Sequence, residues 1–393
     1  MQKSDALTRL DSYLKSYVEQ IRFKVPIGER LPPLELSLRR VVKRRGPANK
    51  AVMIAHGANS GSMTFLVPEG GLADYLAEHG WDVWLLDWRG SPEVVDRLID
   101  DPASLRGRTV MDEIRLFTLD QAAHDVAHGV RKVREYIGDT PLSVMGHCVG
   151  GGITAIAAAE GWLGSLGVGA VVLTTLGLFF EVPWDGWIKA EDFILERVLA
   201  GSQPPRAIDP RVREPWPREM EDAYERWPTA WQVEPRTDHR LLNRLSFMVG
   251  RPWFPECIDE RIDDHVLAKV FGNLHLGLYV HCGQMVRRGY AAPFDDPDII
   301  DRELLPKGSG SSAINSYLKP QPFRDLKVTL VTAAKNRVWH RDSMDLMYEW
   351  LLGEARGGRF EKRVFPDYGL QEIFWAKNAY NDSYPALEEA LRQ

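Results

Sequence analysis

Apolar residues near the start of the chain follow two rhythms. Residues 5 to 20 repeat at helical spacing, and Leu34-Glu35-Leu36-Ser37-Leu38 alternates as a half-buried strand does. A short helix and an antiparallel start are therefore expected. From residue 51 short apolar runs alternate with helical repeats, the pattern of parallel strand-helix-strand units. Ala51 to Ala55 and Val83 to Leu86 read as buried strands, with Leu72, Tyr75 and Leu76 marking a helix between them. Thr118 with Gln121 forms a capping box ahead of Ala122, Val126, Val130, Val133 and Ile137, and Gly138 stops that helix. Leu142 to Met145 and Val168 to Thr174 are further strands. The rhythm breaks between about 180 and 320, where proline and tryptophan are scattered among short helical segments. It resumes with a strand at Val328 to Val331, a helix around Met344 to Leu352 stopped by Gly353, a strand at Lys362 to Phe365 and a closing helix at Ala386 to Leu391. The predicted architecture is α/β: a mostly parallel central sheet with helices on both faces. Residues 1–179 and 321–393 build its core, and 180–320 form an inserted cap.

The densest chemistry lies at Gly146-His147-Cys148-Val149-Gly150. This run follows the strand Pro141-Leu142-Ser143-Val144-Met145 and opens a small-residue helix from Gly151 to Ala159. Strand, sharp turn and helix make a nucleophile elbow, with cysteine where serine is usual. A central residue held in a strained conformation needs flanking glycines so that the two backbones can pass close by. The helix N-terminus is expected to favour thiolate over thiol at Cys148. A buried cysteine in a glycine-rich packing turn is the competing interpretation.

Composition narrows the function by exclusion. The 393 residues are 44% hydrophobic and 26% charged, and the net charge of −6 argues against a nucleic-acid binder. Cys148, Cys257 and Cys282 are too few for a disulfide framework, and their spacing resembles no zinc site. Met1 to Asp11 lacks an apolar core for secretion, and no stretch approaches 18 apolar residues, so a cytoplasmic protein without a membrane anchor is expected. No cofactor or metal is expected, and the oligomeric state stays open.

Other motifs divide between chemistry and packing. His124-Asp125-Val126-Ala127-His128 mimics a zinc-protease helix, but both histidines lie about 160° from the centre of the apolar stripe and should face water. The basic run Arg39, Arg40, Lys43, Arg44 and Arg45 alternates with Val41 and Val42 and reads as a solvated hairpin. The chain has 13 tryptophans. Trp184, Trp187, Trp216, Trp227, Trp231 and Trp253, with Phe179 and Phe180, could line an apolar substrate pocket or pack a core. Trp184, Trp187 and Phe179 are the candidate substrate contacts.

These motifs together resemble the α/β-hydrolase superfamily, and within it the cysteine-elbow branch that includes polyhydroxyalkanoate synthases. The chain looks most like the α/β-hydrolase modules found beside glucose-methanol-choline oxidoreductases of the cholesterol-oxidase type. The resemblance spans roughly residues 20 to 390. It runs through His56-Gly57, Phe117-Thr118-Leu119-Asp120, the elbow, Phe271-Gly272 with His281, Asn336 and Phe365-Pro366-Asp367-Tyr368-Gly369. It implies that the backbone N–H groups of Ala58 and Val149 form an oxyanion hole. Relatives carry the catalytic histidine in a Gly-His-x-Asp run after the terminal Tyr-Gly, whereas this chain reads Gly369-Leu370-Gln371-Glu372. Leu370 cannot transfer a proton. The acid position holds Asn336, which can orient a base but cannot stabilise an imidazolium by charge.

His340, four residues beyond Asn336, is the candidate replacement base; it could equally cap the helix that follows or face water. His147, expected to point into the sheet, and His281, in the cap, are weaker candidates, and Glu372 could act as a weak base if burial raised its pKa. The resulting expectation is an enzyme in which Cys148 forms an acyl-enzyme from an ester or thioester of an apolar acyl group, including one presented on a carrier, followed by hydrolysis or acyl transfer. The alternative is a non-catalytic small-molecule-binding homologue with an incomplete triad.

Overall fold

The structure is a computed structural model that describes residues 5–27, 33–42, 48–100, 110–192, 207–211, 216–230, 236–294 and 316–393. Ten strands are described: β1 (Val18–Val25), β2 (Leu34–Val41), β3 (Lys50–Ala55), β4 (Trp81–Asp87), β5 (Leu142–His147), β6 (Val168–Thr174), β7 (Ala207–Ile208), β8 (Leu274–His275), β9 (Lys327–Ala333) and β10 (Arg359–Phe365). Eight of them form one sheet in the order β1-β2-β4-β3-β5-β6-β9-β10, while β7 and β8 pair as a separate short ribbon. From β4 across to β10 every neighbour is parallel; β1, β2 and β4 pair antiparallel. The elements expected between residues 51 and 174 all appear, and the capping box closes as anticipated, with Thr118 Oγ1 accepting from the Gln121 N–H at 3.4 Å.

Parallel strands buried on both faces need apolar side chains in both directions, and the strands supply them. Met53, Val144 and Leu86 join the core beneath the helices Leu119–Ile137, Val149–Ala159 and Asp342–Glu354. Ile54, Met145 and Leu85 join the opposite core, beneath the helices Leu72–Glu78, Glu372–Trp375 and Ser383–Leu391. The helix expected to stop at Gly353 continues to Glu354.

One expectation about charge is corrected. Arg39 and Arg40 do not lie on a solvated hairpin, because β2 is flanked on both sides by β1 and β4. Arg39 is clamped by Asp87 and Glu93 at 3.2 and 2.9 Å, and Arg40 holds Asp82 through two bonds of 2.9 and 2.7 Å. Lys43, Arg44 and Arg45 lie outside the described residues.

Between β6 and β9 the described chain forms the helices Trp184–Asp192, Arg218–Ala230, Arg240–Val249, Asp264–Val270 and Leu276–Arg288. This is the region expected to break the strand-helix rhythm, and it lies against the carboxyl ends of the parallel strands. Trp231 and residues 193–206, 212–215 and 295–315 of this stretch are outside the described residues.

Candidate active site

Cys148 sits between β5 and the helix Val149–Ala159 with φ 54° and ψ −128°. That is the left-handed region, which costs a non-glycine residue about 1–3 kcal/mol and persists only where the surroundings impose it. Here the glycines permit the close packing that holds it. A Cβ on Gly146 would lie 2.3 Å from the Gly150 carbonyl oxygen, and one on Gly150 would lie 2.3 and 2.4 Å from those of His56 and Ala55. The elbow therefore packs backbone against backbone, as its spelling predicts.

Three N–H groups converge on the Cys148 sulfur. Two are the backbone amides of Ala58 and Val149, the donors expected to form an oxyanion hole. The third is the Trp339 indole, whose Nε1 lies 3.1 Å from Sγ. Burial nevertheless outweighs them and raises the thiol pKa above its ordinary value, with the three hydrogen bonds pulling against it. The expected preference for thiolate at the helix N-terminus is thus reversed in the resting site by desolvation.

The loops after β9 and β10 take an unexpected form. Asn336 is buried, and its Oδ1 accepts from the backbone N–H groups of Val338 and Trp339 at 2.9 and 3.1 Å. It orients no base; it folds the turn that presents Trp339 to the sulfur. The next residue, His340, consequently points outward. Its side chain is 48% exposed, and its Nδ1 lies 3.2 Å from an Asp342 carboxylate oxygen at the start of the following helix. His340 is thereby corrected from a candidate base to a solvent-facing residue at a helix end.

The other titratable candidates are also engaged elsewhere. His147 points into the sheet as expected, with Nδ1 2.8 Å from Thr174 Oγ1, and burial lowers its pKa to about 3. His281 accepts from the Leu119 N–H through Nδ1 and donates to the Ala292 carbonyl through Nε2, both at 3.0 Å. His56 stacks on Trp88 with ring centroids 5.0 Å apart, beneath the loop that carries Ala58. Burial does raise the Glu372 pKa, to about 7, but its Oε1 accepts from the Phe254 N–H at 2.6 Å.

Cys148 opens into a cavity of about 100 Å³. Its walls include Leu245, Met248, Leu278, Val286, Val338, Trp339 and Leu370. Leu370 is 3% exposed and faces this cavity, so the position at which the resemblance implies a histidine is on its wall. Besides Cys148 and Trp339, polar side chains on the lining are Lys189, Tyr279, Cys282 and Gln371, none of which the sequence singled out for the site. Lys189 is held by Asp185 at 3.1 Å and the Ser246 carbonyl at 2.9 Å.

The aromatic candidates are corrected. Trp184, Trp187 and Phe179 do not line this cavity; Trp184 is 69% exposed, and Phe179 packs edge-on to Trp350 at 6.2 Å. The helix Trp184–Asp192 does contribute, through Gly186, Lys189 and Ala190. Those three lie on one face at helical spacing, with Trp184 about 160° and Trp187 about 100° away from Gly186. Trp216, Trp227 and Trp253 are core residues packed on Phe247, Phe271 and Trp375. On the outer helix His124 stacks on Trp162, and His128 meets Arg131 at 3.1 Å. Among the described residues no group of three or more His, Cys, Asp or Glu side chains could hold a metal ion, and no helix is long and apolar enough to cross a membrane.

This strand order, elbow and donor arrangement define the α/β-hydrolase fold, and the α/β-hydrolase fold family model matches residues 50–204, which span β3 through β6 and the elbow. A carboxyl esterase from Bacillus coagulans in complex with glycerol superposes with a TM-score of 0.53 at 14% identity, covering 95% of this chain and 96% of that one. A lipase in an open form gives 0.53 at 13% identity over 95% and 98% of the two chains. DcsB in complex with its substrate analogue gives 0.51 at 13% identity over 95% and 99%. Identities this low carry the fold alone. No curated protein matches the chain.

Proposed function

We propose that the protein forms an acyl-enzyme on Cys148 from an ester or thioester of an apolar acyl group, free or carrier-bound, and passes that group to water or to a second nucleophile. The observation that carries this reading is the pair of backbone N–H groups, Ala58 and Val149, aimed at the elbow sulfur beside an apolar cavity. Donors fixed before reaction stabilise a developing oxyanion without reorganisation. The sulfur bonds to the acyl carbon, the carbonyl electron pair moves onto oxygen, and collapse expels the leaving thiol or alcohol. The Cys148 proton passes to water as the thiolate forms, and the leaving group takes up a proton from water. A thiol needs less base assistance here than a serine hydroxyl would.

Deacylation is the harder half. The groups acting on the sulfur are three N–H donors and burial, and none of them is a base. Water must be activated to hydrolyse the intermediate, whereas an amine or thiol acceptor is already nucleophilic. Transfer is therefore favoured over hydrolysis. Esterase and lipase neighbours of the same fold support acyl chemistry of this kind, and the cysteine elbow supports a likeness to the polyhydroxyalkanoate-synthase-like branch. The helices between β6 and β9 act in this reading as the cap over the acyl group.

Intact-protein mass spectrometry with acyl thioesters of graded length tests the proposal. The wild type should gain one acyl mass, Cys148→Ala should gain none, and small amines or thiols should discharge the adduct faster than water. Neither adduct nor turnover at any length would sink the reading. The site would then be that of a small-molecule-binding homologue, which Leu370 on the cavity wall already favours as the second reading.

A further inference from the structure

We propose that Trp339 is a catalytic residue of the Cys148 site, its indole N–H holding the negative charge of the sulfur in the role that a histidine would otherwise fill. The inference rests on Cys148 being the nucleophile and deepens that reading.

The geometry separates the three donors. Ala58 and Val149 are backbone groups of the β3 loop and the elbow, and both reach the sulfur only while no carbonyl oxygen is present to take them. A substrate oxygen entering between them strips the sulfur of two hydrogen bonds just as it must carry charge. Trp339 comes from the opposite side, from the loop after β9, at 3.1 Å. It competes with nothing on the oxyanion side and stays on the sulfur throughout.

The indole nitrogen donates and never accepts, so it cannot take the thiol proton. Its contribution is electrostatic: a hydrogen bond to an ionised acceptor in a mostly apolar cavity is stronger than the same bond to neutral sulfur. It therefore lowers the cost of the thiolate that attacks. The proton released on ionisation passes to water and the departing thiolate is protonated from water, so acylation balances without a protein base.

The placement is imposed by the surrounding structure. Asn336 Oδ1 holds the Val338 and Trp339 amides, and Phe180 packs edge-on to the indole at 5.5 Å. Trp339 is 6% exposed, and the sulfur is the one hydrogen-bond partner described for its Nε1. Asn336 is accordingly a positioning residue. It stands at the family's acid position but orients an indole where relatives orient an imidazole.

The test is the pH dependence of Cys148 alkylation by iodoacetamide in the full-length protein, read by peptide mass. Trp339→Phe keeps the ring and removes the N–H. Its alkylation midpoint should rise by at least one pH unit, so that the rate near neutrality falls about tenfold while the high-pH plateau is kept. Asn336→Ala should move the midpoint the same way by less. An unchanged midpoint in a Trp339→Phe protein with native circular dichroism and unfolding midpoint would overturn the proposal. So would a lowered plateau with no shift, which is the signature of a packing role. If Trp339→Phe does not fold, the wild-type indole ¹⁵N–¹H resonance of Trp339 supplies the answer. It should move with thiol titration and on alkylation of Cys148, and a stationary resonance would overturn the assignment. No acyl substrate enters these measurements, so a shifted midpoint without acylation by thioesters would refute the proposed reaction and leave the indole's effect on the thiol standing.

Discussion

The two sides of the Cys148 cavity are built in different ways. On the β3 and β5 side the site is backbone: glycines that permit contacts a Cβ would forbid, a left-handed cysteine, and two amides aimed at its sulfur. On the β9 and β10 side the site is side chains, carried on the loops that follow those strands. Asn336 still follows β9, Leu370 still follows Tyr368-Gly369, and both are buried. A backbone oxyanion hole survives sequence change as long as the chain path survives. A site made of side chains depends on each residue at its position.

The sharpest break in that contrast is Gly150→Ala. The added methyl would sit within 2.4 Å of two carbonyl oxygens belonging to a buried strand end, and neither side can yield. A destabilisation of about 4 kcal/mol or more is expected, measured by denaturant unfolding. A cost near that of a surface substitution would mean that the elbow is not clamped by backbone contact.

On the opposite side, Leu370→His restores a base to the cavity wall. It should speed hydrolysis of the acyl-enzyme by about tenfold or more, within the range of positioned general-base catalysis, while acylation changes little. Single-turnover deacylation in water measures it. No gain in a folded variant would show that the wall has repacked around leucine and that the loss of the relay is irreversible by one residue.

Glu372 sharpens the comparison through pH. Burial raises its pKa from 4.5 to about 7 in the folded chain, so the folded state holds a proton that the unfolded state has released between those values. Its contribution to stability is full below pH 4.5 and is lost as pH rises through 7, a change of roughly 3 kcal/mol at most. Glu372→Gln should lack this fall, seen as the difference between the two unfolding curves across that window. The Phe254 N–H can still be accepted by the amide oxygen.

The smallest effect is expected at His340. With its ring in water beside Asp342, His340→Ala should change acylation and deacylation less than twofold and stability by about 0.5 kcal/mol or less. A large loss of turnover would return it to the site and break the contrast between the cavity walls.

How much was legible follows from where each signal resides. Strands buried on both faces, the Thr118 capping box and the elbow glycines are local statements, because each depends on residues a few positions apart. His340 misled because distance along the chain from the acid position says nothing about which way a turn points. The Asn336 turn sends residue 339 inward and residue 340 outward. Trp184 misled for a related reason: which face of its helix turns inward is set by packing against neighbours, and the face that lines the cavity carries Gly186, Lys189 and Ala190. The Asn-x-Val-Trp spelling after a buried strand was the one signal that could have pointed to Trp339.

The sequence by itself determined the α/β architecture and the strained cysteine, since backbone geometry at a turn is written in the glycines that allow it; Ala58 and Val149 as donors came from the resemblance. It also determined that no histidine stands at the position after Gly369. Only the tertiary structure decided what lies in that place. Trp339, Leu370 and Lys189 converge from a sheet loop, a second sheet loop and the helix Trp184–Asp192, elements far apart in the chain. The balance at the sulfur was likewise decided there, because the helix end and three donors act locally to favour charge, while the burial that outweighs them is a property of the whole enclosure.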